Sequence, residues 1–416
     1  MAGFGQKRIS KKQKKTKDRN NLPPERLRAN AIKQHISGNL DEAERDYLAF
    51  IHTGVIDPDV LSNYALICQE TGRITKALSL YEKSIKFFPD HPLTNANLGY
   101  LYLSIGEVEK AELATRKAIE LSPNIANSYS TLGLVLKTKG NLKEAEEVTV
   151  KAIAIQPDFA DAYLNLGLIQ RSIGKLEEAA KATQKAIDIN PNSADAHLNL
   201  GTILQDQGLL KDAENMTRKA IYLQENITDA NMNLGAILKE QGKLTEALMH
   251  VQKEIDVSPN KQAPYLLLNT LFNECDLTSI KQTEIRRVLG LLLPRKDINH
   301  MDLFRAINEL IKRNDLIELS RSEHSVLTKD CFHQLVEDKE IVNALRLLTF
   351  NSSIWENALT KVRKDICVAT SNDLIGADKS LFEFTTALAE QCFLNEYIFY
   401  ISDEEIKAIN KIKFDS

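Results

Sequence analysis

Three short segments of the sequence, DAYLNLG (Asp161–Gly167), DAHLNLG (Asp195–Gly201) and DANMNLG (Asp229–Gly235), stand 34 residues apart. The same interval from Gly167 reaches Gly99, Gly133, Gly201 and Gly235, with Ala65 and Ala31 further upstream. Seven residues after each of these comes a second series: Gly38, Gly72, Gly106, Gly140, Gly174, Gly208 and Gly242. Five further on stand Ala43, Ala77, Ala111, Ala145, Ala179, Ala213 and Ala247, and Pro89, Pro123, Pro157, Pro191 and Pro259 close most repeats. Seven repeats therefore begin near residues 24, 58, 92, 126, 160, 194 and 228. Each reads as a first helix, a turn and a second helix. A glycine of the first series lets the two helices approach, and one of the second supplies a left-handed turn residue. A repeat of this size cannot bury its own apolar face, so neighbours must stack.

The period and its glycine, alanine and proline offsets resemble the tetratricopeptide repeat over roughly residues 24–261. That resemblance implies an all-α fold, a right-handed superhelical solenoid of about seven helix–turn–helix repeats enclosing a concave groove. Three departures stand out. Glu225 replaces the closing proline of the sixth repeat, Glu254 replaces a small residue late in the seventh, and the first repeat lacks the helix glycine.

Within this frame an asparagine recurs at the sixth position of each repeat, giving the series Asn63, Asn97, Thr131, Asn165, Asn199 and Asn233. One turn earlier, at the second position, stand Asp59, Asn127, Asp161, Asp195 and Asp229; two turns later come Lys137, Arg171 and Lys239. Helical spacing puts these positions on one stripe, away from the packing leucines Leu98, Leu132, Leu166, Leu200 and Leu234. Two readings stand. Asparagine is a polar residue on a solvated face, repeated because the repeats are duplicates. Alternatively its amide offers a donor and an acceptor that match a peptide backbone, an arrangement that resembles the asparagine ladder of O-linked N-acetylglucosamine transferases. Five such contacts at about 0.5–1.5 kcal/mol each, less the cost of ordering the peptide, predict affinity on the order of micromolar. The mostly acidic second position argues against capture of a carboxylate terminus.

The formal charge of −4 hides an asymmetry: the segment before Leu22 carries Lys7, Arg8, Lys11, Lys12, Lys14, Lys15, Lys17 and Arg19 against Asp18. It nets +7 and leaves −11 for the remainder. Such an arm, dense in charge and poor in apolar residues, is expected to be disordered. It reads as a solubilising tail or as a salt-sensitive contact for nucleic acid or an anionic surface through Lys7–Arg19. No apolar run approaches the length of a bilayer span, the longest being of the order of VLGLLLP (Val288–Pro294). No secretory signal is visible at the N-terminus. Five scattered cysteines, Cys68, Cys275, Cys331, Cys367 and Cys392, suit a reducing compartment. The expected localisation is cytoplasmic, and the opening MAGFG is similar to the start of a family of marine cyanobacterial repeat proteins.

Beyond residue 261 the register fails. APYLLLNTLFNEC reads as a cap, residues 262–275, and residues 276–416 as an α-helical module. Its helices are expected near 278–293, 300–313, 328–349, 353–366, 378–400 and 402–412, from apolar spacing as in LFRAINELI (Leu303–Ile311). The organisation is thus an arm (1–22), a repeat array (23–261), a cap and this module. ALAEQCFLNEY (Ala387–Tyr397) resembles the segment that precedes an S-adenosylmethionine-dependent methyltransferase domain in some bacterial repeat proteins, a domain expected to be missing here. Only Gly290 and Gly376 lie beyond the array, so no glycine-rich loop can cradle a phosphate or nucleoside. Cys331, His333 and His324 do not have zinc-site spacing. Trp355 reads as a core anchor and Cys392 as a packed thiol. The expectation is a non-catalytic interaction scaffold without cofactor or metal, binding an extended partner peptide in its groove. The alternatives are the targeting half of a split methyltransferase and a nucleic-acid-associated factor using the arm.

Overall fold

The computed structural model describes residues 22–350, 352–372, 378–394 and 401–415. The arm residues Lys7–Arg19 lie outside the described residues, as do Asn395, Glu396 and Tyr397 of the C-terminal motif. Regular structure among the described residues is helical throughout, with no strand. The described residues divide into two compact bodies, before and after the boundary between Leu223 and Gln224.

The N-terminal body holds six helical hairpins. They are α1 (Pro24–Ile36) with α2 (Leu40–His52), α3 (Pro58–Glu70) with α4 (Ile74–Phe87), and α5 (Pro92–Ser104) with α6 (Val108–Leu121). Then follow α7 (Ala126–Thr138) with α8 (Leu142–Ile155), α9 (Ala160–Ile173) with α10 (Leu176–Ile189), and α11 (Ala194–Asp206) with α12 (Leu210–Leu223). Each first helix packs on its own second helix, and from α3 to α11 successive first helices pack on one another. The two glycine series do different jobs. Gly174 ends α9 at φ 90 with nothing near its Cβ position, so backbone conformation alone demands glycine there. Gly167 has ordinary helical φ, but a Cβ on it would lie 2.2 Å from the Thr183 Oγ1 and 3.2 Å from the Ala179 carbonyl oxygen. Here close helix approach demands it.

Threonine faces the helix glycine in four successive repeats, as Thr115, Thr149, Thr183 and Thr217. In the first two repeats Ala31 and Ala65 replace the glycine, and Tyr47 and Tyr81 take the threonine's place. A threonine branches at Cβ and so thrusts an atom at the opposing backbone; a tyrosine is unbranched there and leaves room for an alanine methyl. Buried threonine hydroxyls are satisfied locally: Thr115, Thr149 and Thr217 donate to the carbonyls of Ala111, Ala145 and Ala213 at 2.7, 2.8 and 2.9 Å.

In the C-terminal body the seventh hairpin pairs α13 (Ala230–Glu240) with α14 (Leu244–Val257). Among the described residues nine α-helices follow: α15 (Ala263–Glu274), α16 (Gln282–Leu292), α17 (Phe304–Leu310), α18 (Arg313–Arg321), α19 (Asp330–Glu337), α20 (Lys339–Leu347), α21 (Ser353–Ser371), α22 (Lys379–Leu394) and α23 (Asp403–Asp415). Two sequence expectations are corrected here. The helix expected at 300–313 is a 3-10 turn, His300–Leu303, and then α17, which stops before an extended Ile311; α18 follows in a stretch read as non-helical. The helix expected at 328–349 is broken at Asp338 into α19 and α20. Asp338 is extended there, its Oδ1 accepts from the Glu340 and Ile341 N–H groups, and its Oδ2 accepts from Arg286 at 2.7 Å. The cap therefore starts a new helix where apolar spacing alone would run on. Trp355 is 1% exposed, packs edge-on against Phe350, and donates through Nε1 to the Asn308 Oδ1 at 2.6 Å.

Candidate peptide-binding face

A helix turns about 100° per residue, so the second, fifth, sixth, ninth and twelfth positions of each first helix share one face. On α9 and α11 that face presents exposed Asp161 and Asp195, partly exposed Leu164, Leu168 and Leu198, and half-buried Asn165. Neither Asp161 nor Asp195 has a partner among the described residues. On α7 the partly exposed Lys137 is likewise without one.

The remaining stripe residues are engaged. Arg171 grips Asp206 of the following first helix with two nitrogens, at 2.5 and 3.3 Å. Asp59 pairs with Arg28 at 2.5 Å and His91 at 3.2 Å. Lys239 pairs with Glu274 at 2.9 Å. Asp229 is not on a helical stripe: it precedes α13 in the left-handed conformation, φ 66, the one non-glycine residue with positive φ among those described. Its N–H donates to the Glu254 Oε1 at 3.1 Å and its carboxylate pairs with Lys261 at 2.5 Å. The substitution of Glu254 for a small residue thus has a structural partner. The buried carboxylate, 1% exposed, satisfies a backbone donor that the shortened α13 leaves loose.

The asparagines are more deeply built in than a solvated stripe would be. Asn199 is 6% exposed; its Nδ2 donates to the Thr183 Oγ1 of the preceding repeat at 3.1 Å, and its Oδ1 is buried without a partner. Asn165 donates to the Ser130 Oγ of the preceding repeat at 2.8 Å. Asn63 and Asn97 lie beside the hydroxyls of Tyr47 and Tyr81, again one repeat back. Thr131 is 2% exposed, and Asn233 is half-buried on α13. In the fifth and sixth repeats the amide donor therefore works inside the array, and only the carbonyl oxygen is left over. Sequence spacing located the stripe; it could not show this inter-repeat bond, because the partner is a second-helix tyrosine or threonine in some repeats and the first-helix Ser130 in another.

Burial also moves the tyrosines, pushing the Tyr47 phenol up to about 12 and those of Tyr64 and Tyr81 upward as well. Beside them Glu44, held below the usual carboxylate range by Arg73, links the first hairpin to the second.

In the C-terminal body an unanticipated group lies between α21, α22 and α23. Arg363 donates to the Glu405 Oε1 at 2.6 Å and to the Cys392 Sγ at 3.7 Å, beside an apolar cavity of about 300 Å³ that Cys367 also lines. Burial raises the Cys367 thiol. Among the described residues no group of three or more His, Cys, Asp or Glu side chains is placed to hold a metal. None of the described helices is long and apolar enough to cross a membrane.

The tetratricopeptide repeat family matches the sequence at residues 58–91, 94–125, 126–159 and 194–227, a second tetratricopeptide description matches 149–181, and a third, a TPR repeat, matches 169–208. The chain carries tetratricopeptide repeats within residues 58–227. No curated protein matches it significantly. Among solved structures the tetratricopeptide array shares its fold with the APC/C hetero-tetramer Cut9–Hcn1. That match has 15% identity and a TM-score of 0.51, and covers 64% of this chain and 52% of the other. A tetratricopeptide repeat protein from Parabacteroides merdae matches at 19% identity and a TM-score of 0.48, covering 60% of this chain and 98% of the other. YrrB, described as a TPR protein with an unusual peptide-binding site, matches at 25% identity and a TM-score of 0.34, covering 44% and 95%.

Proposed function

We propose that this chain is a non-catalytic interaction scaffold whose tetratricopeptide array binds an extended segment of a partner protein along its first helices, most strongly on α9 and α11. The observation that carries the reading is the unpaired state of Asp161 and Asp195 on a face that also exposes Leu164, Leu168 and Leu198. Elsewhere along the stripe, Lys137 apart, charges are matched in pairs, as in Arg171–Asp206. The leucines give apolar contact, the aspartates select charge, and the Asn165 carbonyl oxygen can accept a backbone N–H from the partner. Because its Nδ2 is tied to Ser130, the asparagine contributes one oriented acceptor rather than a donor–acceptor pair. That lowers the gain per repeat and shifts discrimination to the second position.

Capture from native lysate on wild-type and Asp161→Ala/Asn165→Ala/Asp195→Ala baits tests this, once both are shown to melt at nearly the same temperature. A protein retained by the first bait and lost from the second supports the reading. Identical sets of captured proteins on the two baits refute it.

A further inference from the structure

The unpaired carboxylates of α9 and α11 have a complement within the chain itself. Residues 7–19 net +7 and contain the run KKQKK (Lys11–Lys15). Asp161 and Asp195 hold the same position on neighbouring first helices that pack directly on one another. Packed helix axes lie about 8–10 Å apart, and a chain in the polyproline II conformation advances about 3.1 Å per residue with about three residues per turn. Basic residues three apart on such a segment therefore share one side and match the two carboxylates. Lys11 with Lys14, Lys12 with Lys15, and Lys14 with Lys17 all have that spacing.

A second, independent feature lies one turn along α11 from Asp195. The Asn199 Oδ1 is buried and without a hydrogen-bond partner, an acceptor whose burial is costly until a donor reaches it. The other charges on this face do not oppose a cationic occupant. Arg171 and Asp206 neutralise each other, and Lys137 sits near the far end of its helix, about 15 Å along the axis from the level of the aspartates.

Building on the proposed binding face, we propose that residues 7–19 of one copy dock along the α9–α11 face of another, with lysines three apart ion-paired to Asp161 and Asp195. Reach favours a second copy. The segment from Lys15 to Leu22 spans at most about 25 Å when extended, whereas four first-helix steps from α1 to α9 come to about 32–40 Å. Such a contact joins different patches of the two copies, so it builds head-to-tail rings or open chains, or a dimer when two copies exchange arms. It should also weaken as salt screens the charges.

The test uses the full-length chain and a labelled synthetic peptide of residues 7–19, read by fluorescence anisotropy at low and high salt. Wild-type protein is expected to bind, with affinity falling at least tenfold in Asp161→Lys/Asp195→Lys. A peptide carrying Lys11→Glu, Lys12→Glu, Lys14→Glu and Lys15→Glu, which removes every such pair, is expected to bind the wild type poorly and to recover on the charge-reversed protein. That exchange cannot come from misfolding. Peptide affinity unchanged by Asp161→Lys/Asp195→Lys, or no binding at low salt, overturns the inference. If the arm fails while a lysate protein is still lost from the bait altered at Asp161, Asn165 and Asp195, the binding face stands and only its occupant changes. If the arm binds but no lysate protein depends on that face, self-association stands and the partner reading falls.

Discussion

The hairpins between α5 and α12 and the helices from α15 to α23 are both all-helical, yet they are specified in different ways. In the former, one rule repeats: a helix glycine faces a threonine, an alanine packs beneath, and a left-handed glycine turns the chain. In the latter, each junction has its own device, such as the Asp338 cap or the Trp355–Asn308 hydrogen bond. A repeated rule makes errors equivalent from one repeat to the next, whereas a set of singular contacts concentrates stability in a few side chains.

Trp355→Ala should therefore have the largest effect. It removes a ring that is 1% exposed and orphans the Asn308 amide, at a cost of about 3–5 kcal/mol. Urea unfolding followed by circular dichroism is expected to show a transition displaced to much lower denaturant; a displacement worth under about 1 kcal/mol would mean the ring is not the anchor. Next come Gly133→Ala, Gly167→Ala and Gly201→Ala. Each places a methyl 2.1–2.4 Å from a threonine oxygen, so each should cost about 1–3 kcal/mol and the three should agree closely. Pairing Gly167→Ala with Thr183→Ala should recover most of the loss, and failure to recover would show that backbone contact with Ala179 sets the limit.

Alkaline pH should separate the two ends of the array. Tyr47, Tyr64 and Tyr81 are buried, and burial raises each phenol. Their contribution is complete well below pH 10, the value near which the unfolded phenol is half-ionised. It declines as pH rises towards the folded value, about 12 for Tyr47, because only the unfolded chain then releases the proton. Melting curves at pH 9, 10 and 11 should show a progressive loss, reduced in Tyr47→Phe; no difference between these proteins would contradict the assignment. The smallest effect is expected from Asn199→Ala, which removes one hydrogen bond but also an unsatisfied oxygen. A cost of about 1 kcal/mol or less, measured by urea titration, fits a packing amide.

The contrast also explains what could be read in advance. The seven hairpins and their turns follow from glycine, alanine and proline spacing, because each of those residues acts through local backbone geometry. The stripe bearing Asp161, Asn165 and Asp195 follows from the same frame. Its internal bonds did not: Asn199 to Thr183 depends on how two repeats stack, and Asp229 became left-handed because Glu254 and Lys261 hold it there. In the C-terminal body the break at Asp338 depends on Arg286, more than fifty residues away in sequence, and the Arg363–Glu405 pair spans 42 residues. No short-range periodicity carries such contacts. Apolar spacing makes Cys392 a packed thiol, whereas in the structure it accepts from a guanidinium at the edge of a cavity.

The central claim, that the first-helix face of the array is where a partner binds, is tested most directly by site-specific photo-crosslinking. A crosslinker placed at Leu164 or Leu198, partly exposed on α9 and α11, is compared with one at Leu113, 72% exposed on the second helix α6. Partner adducts from Leu164 and Leu198 and none from Leu113 are the predicted result. Adducts from Leu113 alone, or equally from all three, would contradict it.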